Sequence, residues 1–322
     1  MRFTIGFDPE DKARVHAYWD EIFATQQWTE GKFTTLFEDK WAAWNGMPSL
    51  SFANWSGAAL TALEYFGVRG KTVLCPSNTF MATPLSVVKA GARLEFVDCN
   101  REDLCLSFQD LKHKAERFKP AAVWVVHIGG HLAFEIDEIA RFCKERGIVL
   151  LEDCAHAHGA SWNGRKPGDW GDAGVYSFYA TKTITMGEGG MLVTRDPGLL
   201  DYAKRARNYG KPDYTVAGLN HRINEFVAAL GTVQVDRLPD IVAWKKAYAE
   251  KHLNPKFPNR VKVPAGMISG YYKYIVFDPI EKSTGKVYDQ PCHHLMRREE
   301  HLPNTDWVAR NHWCVPLYYK GE

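Results

Sequence analysis

The sequence predicts an α/β protein built on a largely parallel sheet. From about residue 56, amphipathic helical patterns alternate with short apolar runs rich in β-branched residues, as a chain of βα units requires. One run, AAVWVVH at 121–127, is apolar up to its closing histidine and suits a strand buried on both faces. The 322 residues also exceed a single small core and set a length prior of about two domains.

Taken in order, SGAALTALEYF (56–66) reads as a helix and TVLCP (72–76) as a strand. TPLSVVKAG (83–91) is the next helix, stopped by its glycine, and LEFVD (94–98) the next strand. After the strand at 121–127, IDEIARFCKERG (136–147) forms a helix with a glycine stop, followed by the strand IVLLED (148–153). AGVYSF (173–178) is a further strand, and the turn TMGEGG leads into MLVT as its hairpin partner. Residues 197–209 and 222–250 are helical in pattern. The Pro-rich stretch NPKFPNRVKVPAG (254–266) marks a linker into a smaller C-terminal unit. Ligands of open α/β sheets bind beyond the carboxyl ends of strands, which points to Pro76–Phe80, His127–His131 and Asp153–His158.

Charge and composition exclude several classes. Lys plus Arg total 40 against 38 Asp plus Glu, with no basic block, so there is no electrostatic footprint for nucleic acid or an anionic membrane. No run approaches the roughly 18 apolar residues of a spanning helix, and the N-terminal segment turns acidic before an apolar leader develops, which predicts a cytoplasmic protein. The seven cysteines are odd in number, scattered and without a CxxC pair, as expected of reduced, buried thiols.

In GDAGVYSFYATKTITMGEGG (171–190) the single lysine, Lys182, stands between an apolar strand and a Gly-rich turn. There a side chain can reach a water-poor cleft, and desolvation leaves a nucleophilic amine. From this segment alone the simpler reading, a solvated loop lysine, stands. Asp153 closes a strand where a carboxylate can hold a protonated pyridine nitrogen, or can simply cap the following segment. Lysine and aspartate together meet the minimum requirement of pyridoxal phosphate (PLP), a covalent anchor and a partner for the pyridinium. Ser56 and Gly57 open a helix, where free N–H groups and the dipole suit a phosphate, although Ser-Gly is also a common cap. Ser177 could add a hydroxyl, and Phe80 could stack on a ring or belong to the core.

Four ordered blocks, PSNTFMAT (76–83), EDCAHAHGA (152–160), GDAGVYSFYATKTITMGEGG (171–190) and NHRINEFVAALG (220–231), resemble the DegT/DnrJ/EryC1/StrS family of PLP-dependent sugar aminotransferases. The resemblance implies a type I, aspartate aminotransferase-like fold. A large PLP-binding domain with an N-terminal helical arm (1–250) would hold a mostly parallel seven-stranded sheet, and a small C-terminal α/β domain would occupy 251–322. It implies that Lys182 is the covalent anchor and the general acid/base, and that Asp153 pairs with the pyridinium nitrogen. His156 would lie against the ring, Phe80 stack on it, and Ser177 and Ser56 bind phosphate. The family's Gly-Thr phosphate pair falls here on Trp55-Ser56, so its glycine is lost. Asn220 matches an asparagine that reaches the phosphate from the neighbouring subunit, which implies a homodimer with shared active sites.

The implied reaction moves an amino group from L-glutamate to a 3-keto or 4-keto group of a nucleotide-linked deoxysugar, through PLP and pyridoxamine phosphate (PMP), for glycan or glycosylated-metabolite biosynthesis. The flanks of Lys182 also resemble the family's PMP-dependent sugar 3-dehydratases, in which a histidine replaces the lysine, so a dehydratase is an alternative. A cyclitol or keto-acid aminotransferase is another, and a non-catalytic binding protein a third. His127 and His131 are candidate substrate contacts, as are Arg297 and Arg298 in PCHHLMRREEH (291–301), a stretch equally readable as a solvated charged loop. No ligand set falls at zinc spacing in the sequence, and no metal is expected.

Overall fold

A computed structural model describes residues 6–320, so the first five residues of the acidic N-terminal segment lie outside the described residues. Helices α1 (Pro9–Thr25) and α2 (Lys32–Asn45) come first. Pro9 opens α1, and Glu10 and Asp11 lie in its first turn, where the helix dipole favours negative charge. Both helices pack on a long later helix, Glu225–Tyr248. Strand β1 (Ser49–Phe52) leads through the N-cap Asn54 into α3 (Trp55–Tyr65). There follow β2 (Thr72–Pro76), α4 (Ala82–Lys89), β3 (Arg93–Val97), α5 (Phe108–Phe118), β4 (Ala122–Val126), α6 (Ile136–Arg146) and β5 (Val149–Asp153). After the two-residue β6 (Ser161–Trp162) come β7 (Ala173–Ser177), β8 (Gly190–Val193), α7 (Pro197–Ala206) and α8 (Glu225–Tyr248), which continues as a π-helical turn over Ala249–Leu253.

Seven strands form one sheet in the order β1-β8-β7-β5-β4-β2-β3, parallel except that β8 runs antiparallel to β7 and β1. The type I fold expected from the resemblance is the fold of this chain, and MLVT is the hairpin partner of β7. Along the central strands, side chains alternate between two cores. Val123 and Val125 face the side of α5 and α6, whereas Ala122 and Trp124 face the side of α3, α4 and α7. Gly147 stops α6 in the left-handed region (φ 64°), as expected, and Gly91 does the same just past α4. All seven cysteines are unpaired and buried.

Within the main sheet and its covering helices, β1 and α5 fall outside the alternation legible in the sequence. The strand SLSF is short and contains no β-branched residue, so its pattern is weak. Helix α5 is amphipathic and N-capped by Ser107, signals that were legible but fall between two recognised strands.

The C-terminal segment is compact. β9 (Met267–Ile268) pairs with β6, and β10 (Tyr274–Val276) pairs antiparallel with β11 (Trp313–Val315). Two short helices, α9 (Cys292–Leu295) and α10 (Pro303–Arg310), lie between β10 and β11. Ala249, Leu253, Tyr274, Val276, Val315 and Leu317 give this segment a small core of its own. Among the described residues, no helix is long and apolar enough to cross a membrane.

Candidate active site

The parallel register places the carboxyl ends of β2, β4, β5 and β7 at one edge of the sheet, with Val126 opposite Asp153 and Asp153 opposite Val175. Beyond that edge lies a cavity of about 730 Å³, lined among others by Asn54, Ser56, Thr79, Phe80, Asp153, His156, Ser177, Lys182, Tyr272 and Tyr288. Six predicted positions therefore converge here: Ser56, Phe80, Asp153, His156, Ser177 and Lys182. They come from three of the four family blocks and from the start of α3.

Each is positioned by a local feature. Asn54 accepts from the Gly57 N–H, leaving the first N–H groups of α3 beside Ser56 at the cavity wall. Strand β8 comes close to this helix start because Gly190 has no side chain. A Cβ there would sit 2.4 Å from the Asn54 carbonyl oxygen. Lys182 belongs to the β7–β8 loop, which is closed by bonds from Phe178 N–H to Gly189 O and from Met186 N–H to Phe178 O. Burial lowers the Lys182 pKa to about 8; Asp153 opposes that shift and Lys273 adds to it. The Lys182 Nζ lies 5.1 Å from the centre of the Tyr272 ring.

Asp153 accepts at one oxygen from the Ala155 N–H (3.0 Å) and at the other from the Thr83 hydroxyl (2.8 Å), which itself meets Thr79 Oγ1 at 2.9 Å. Burial raises its pKa, while those two hydrogen bonds and Lys182 oppose the shift. Burial together with the Lys182 and Lys273 charges holds His156 neutral, its pKa well below the ordinary imidazole value. Its ring packs 4.3 Å from that of Tyr272, and its Nδ1 is buried without a partner. Phe80 is 66% exposed at the mouth.

Other predicted residues stand elsewhere. His127 is fully buried. Its Nδ1 accepts from the Ala133 N–H, so its Nε2–H donates to Glu152 at 2.9 Å, leaving it no group for a substrate. His131 bonds the Asp103 carbonyl and lines a separate cavity of about 250 Å³. Arg298 is held by the Leu94 carbonyl, Glu95 and Glu300, while Arg297 is exposed outside the cavity. From the 291–301 stretch only Leu295 lines it. Gly57 packs against His221 instead of the cavity. Asn220 is exposed on the same chain and accepts from Arg222.

Tyr272, Lys273 and Tyr288 also line the cavity, outside every block that the sequence marks. They lie in the irregular C-terminal segment, where no period or motif marks them. Thr79 and Thr83 stand inside PSNTFMAT and were legible as part of that block.

Residues 9–260 match the model of the DegT/DnrJ/EryC1/StrS aminotransferase family. The chain belongs to that family. It is 33% identical over 229 residues to the GDP-perosamine synthase of Vibrio cholerae, an alignment covering 69% of this chain and 62%, less than two thirds, of that enzyme. It is 30% identical to the dTDP-3-amino-3,4,6-trideoxy-alpha-D-glucose transaminase of Micromonospora megalomicea subsp. nigra, over 92% of this chain and 88% of the relative. Among solved structures, an aminotransferase from Streptoalloteichus hindustanus superimposes with a TM-score of 0.89 at 28% identity, covering 99% of this chain and 94% of that one. Aminotransferases of the DegT/DnrJ/EryC1/StrS family are PLP-dependent, and the residues present fit the cofactor. A half-buried amine, a strand-end carboxylate, a helix start with free N–H groups and an orphaned imidazole nitrogen line one cavity.

Proposed function

We propose that the protein transfers an amino group from L-glutamate to a keto group of a nucleotide-linked deoxysugar. The observation that carries this reading is the convergence of Lys182 and Asp153 in one cavity beside the start of α3. The relatives named above act on GDP- and dTDP-linked sugars, which supports a nucleotide sugar over a free keto acid.

PLP would be held by Lys182 as covalent anchor, by Asp153 at its pyridine nitrogen, by Phe80 against its ring, and by Ser56, Ser177 and the first N–H groups of α3 at its phosphate. Bound there, it supplies an electron sink for proton removal at the carbon bearing nitrogen. The lowered pKa lets the Lys182 amine take up and release a proton near neutral pH. Thr83 and Ala155 fix the Asp153 carboxylate from behind, so that its negative charge faces the cavity. Neutral His156, packed on Tyr272, would offer the bound cofactor an uncharged donor or acceptor.

The active form we infer is a homodimer. Asn220 sits on an exposed segment with Tyr209, Tyr214 and Leu219, which are 48%, 67% and 64% exposed. A second copy covering this surface would bury those side chains and bring Asn220 to the neighbour's cavity mouth. Protein saturated with PLP should be yellow and bleach on addition of glutamate. Lys182→Ala should be colourless and inactive, and an unchanged rate in that variant would sink the assignment.

A further inference from the structure

We propose that His293, His294 and Asp306 form a binding site for a divalent transition-metal ion of the zinc class, apart from the catalytic cavity. His293 and His294 project from α9 and Asp306 from α10. One ring nitrogen of each histidine and one carboxylate oxygen of Asp306 lie within 4.8 Å of one another. His293 Nε2 stands 3.5 Å and His294 Nε2 3.2 Å from Asp306 Oδ1. Bonds of about 2.0–2.1 Å at tetrahedral angles put neighbouring zinc ligands roughly 3.3–3.4 Å apart, which matches both spacings.

These contacts do not satisfy one another as hydrogen bonds. His293 is 1% exposed, and both its Nε2 and Asp306 Oδ1 are buried without a hydrogen-bond partner. A buried polar atom left unpaired costs about 1–3 kcal/mol, and two that stand 3.5 Å apart can be satisfied by one shared occupant. The other ring nitrogen of His293 is already fixed. Its Nδ1 lies 2.7 Å from Ser77 Oγ, which also accepts the His293 N–H. With the proton on Nδ1 the Nε2 lone pair is free, the outer-shell arrangement that orients metal-bound imidazoles. The side chain of His294 is 55% exposed, which gives an ion a path in and leaves room for a water ligand.

A second cluster, His127, Glu152 and Cys154, does not compete. Glu152 already accepts from His127 and from the Gly168, Trp170 and Gly171 N–H groups, and all three residues are buried. An ion at the first site would clamp α9 to α10 and, through Ser77, to the end of β2 just before Thr79 and Phe80.

The test is calorimetric titration of PLP-loaded, chelator-treated full chain with zinc chloride. One equivalent should bind, and His294→Ala and Asp306→Asn should each weaken binding at least tenfold. The melting temperature should rise with zinc in the parent but not in His294→Ala, whose exposed position spares the fold. Absence of saturable binding, or binding unchanged in both variants, would overturn the site.

Discussion

The lowered pKa of Lys182 makes a quantitative demand on stability. Burial takes this amine from 10.5 to about 8, a fall of roughly 2.5 units. At 1.36 kcal/mol per unit, the cofactor-free protein at pH 7 carries a penalty of about 3 kcal/mol for holding the ammonium in the cavity. Between pH 8 and 10.5 the unfolded chain binds more protons at this position than the folded one, so stability rises with pH across that window. Below pH 8 the whole penalty applies. Lys182→Met keeps the length of the side chain and removes the charge. At pH 7 the cofactor-free variant should therefore be more stable than the parent by about 3 kcal/mol, and the gap should close towards pH 10.5. Urea denaturation of both proteins at equal concentration, at pH 7 and pH 10, measures this. Any packing gain from methionine would be independent of pH. A difference that stays flat between the two pH values, or a variant less stable at pH 7, would refute the argument that desolvation sets this pKa.

Further expectations concern the groups behind the cavity. Thr83→Val removes the hydroxyl that holds Asp153, a hydrogen bond to a charged group worth about 1.5–3 kcal/mol. PLP affinity, followed by absorbance titration, should fall by roughly tenfold or more. His127→Leu should lower stability in urea by about 1–3 kcal/mol, because it leaves Glu152 short of a buried donor and the Ala133 N–H without its acceptor, while KM for the substrate stays near the parent value. Glu225 is nearly fully buried, and its carboxylate accepts from the Gly31, Phe33 and Thr34 N–H groups at the start of α2. Glu225→Gln should cost about 2–4 kcal/mol, read as a lower melting temperature, since an amide offers only one acceptor oxygen to those donors.

The βα alternation, the positions of β2, β4, β5 and β7, the glycine stops of α4 and α6, and the family are all legible in the sequence alone. These rest on local signals, the hydrophobic period and short motifs, that survive in one dimension. It also marked six cavity residues, because they sit at strand ends or a helix start, where the chain pattern itself shows that backbone groups go unpaired. It misjudged His127 because a histidine at a strand end looks the same whether it meets a ligand or a buried glutamate. The choice was made by Glu152, whose three backbone donors on 168–171 are brought to it only by folding. Arg298 was likewise spent on Glu95 and Glu300, across the edge of β3. Tyr272, Lys273 and Tyr288 reach the cavity from an irregular segment with no period to read. The His293–His294–Asp306 cluster joins two short helices at a spacing that no zinc motif describes. Tertiary structure decided these points because a side chain's role is set by which partners saturate its polar atoms, and those partners lie far away in sequence.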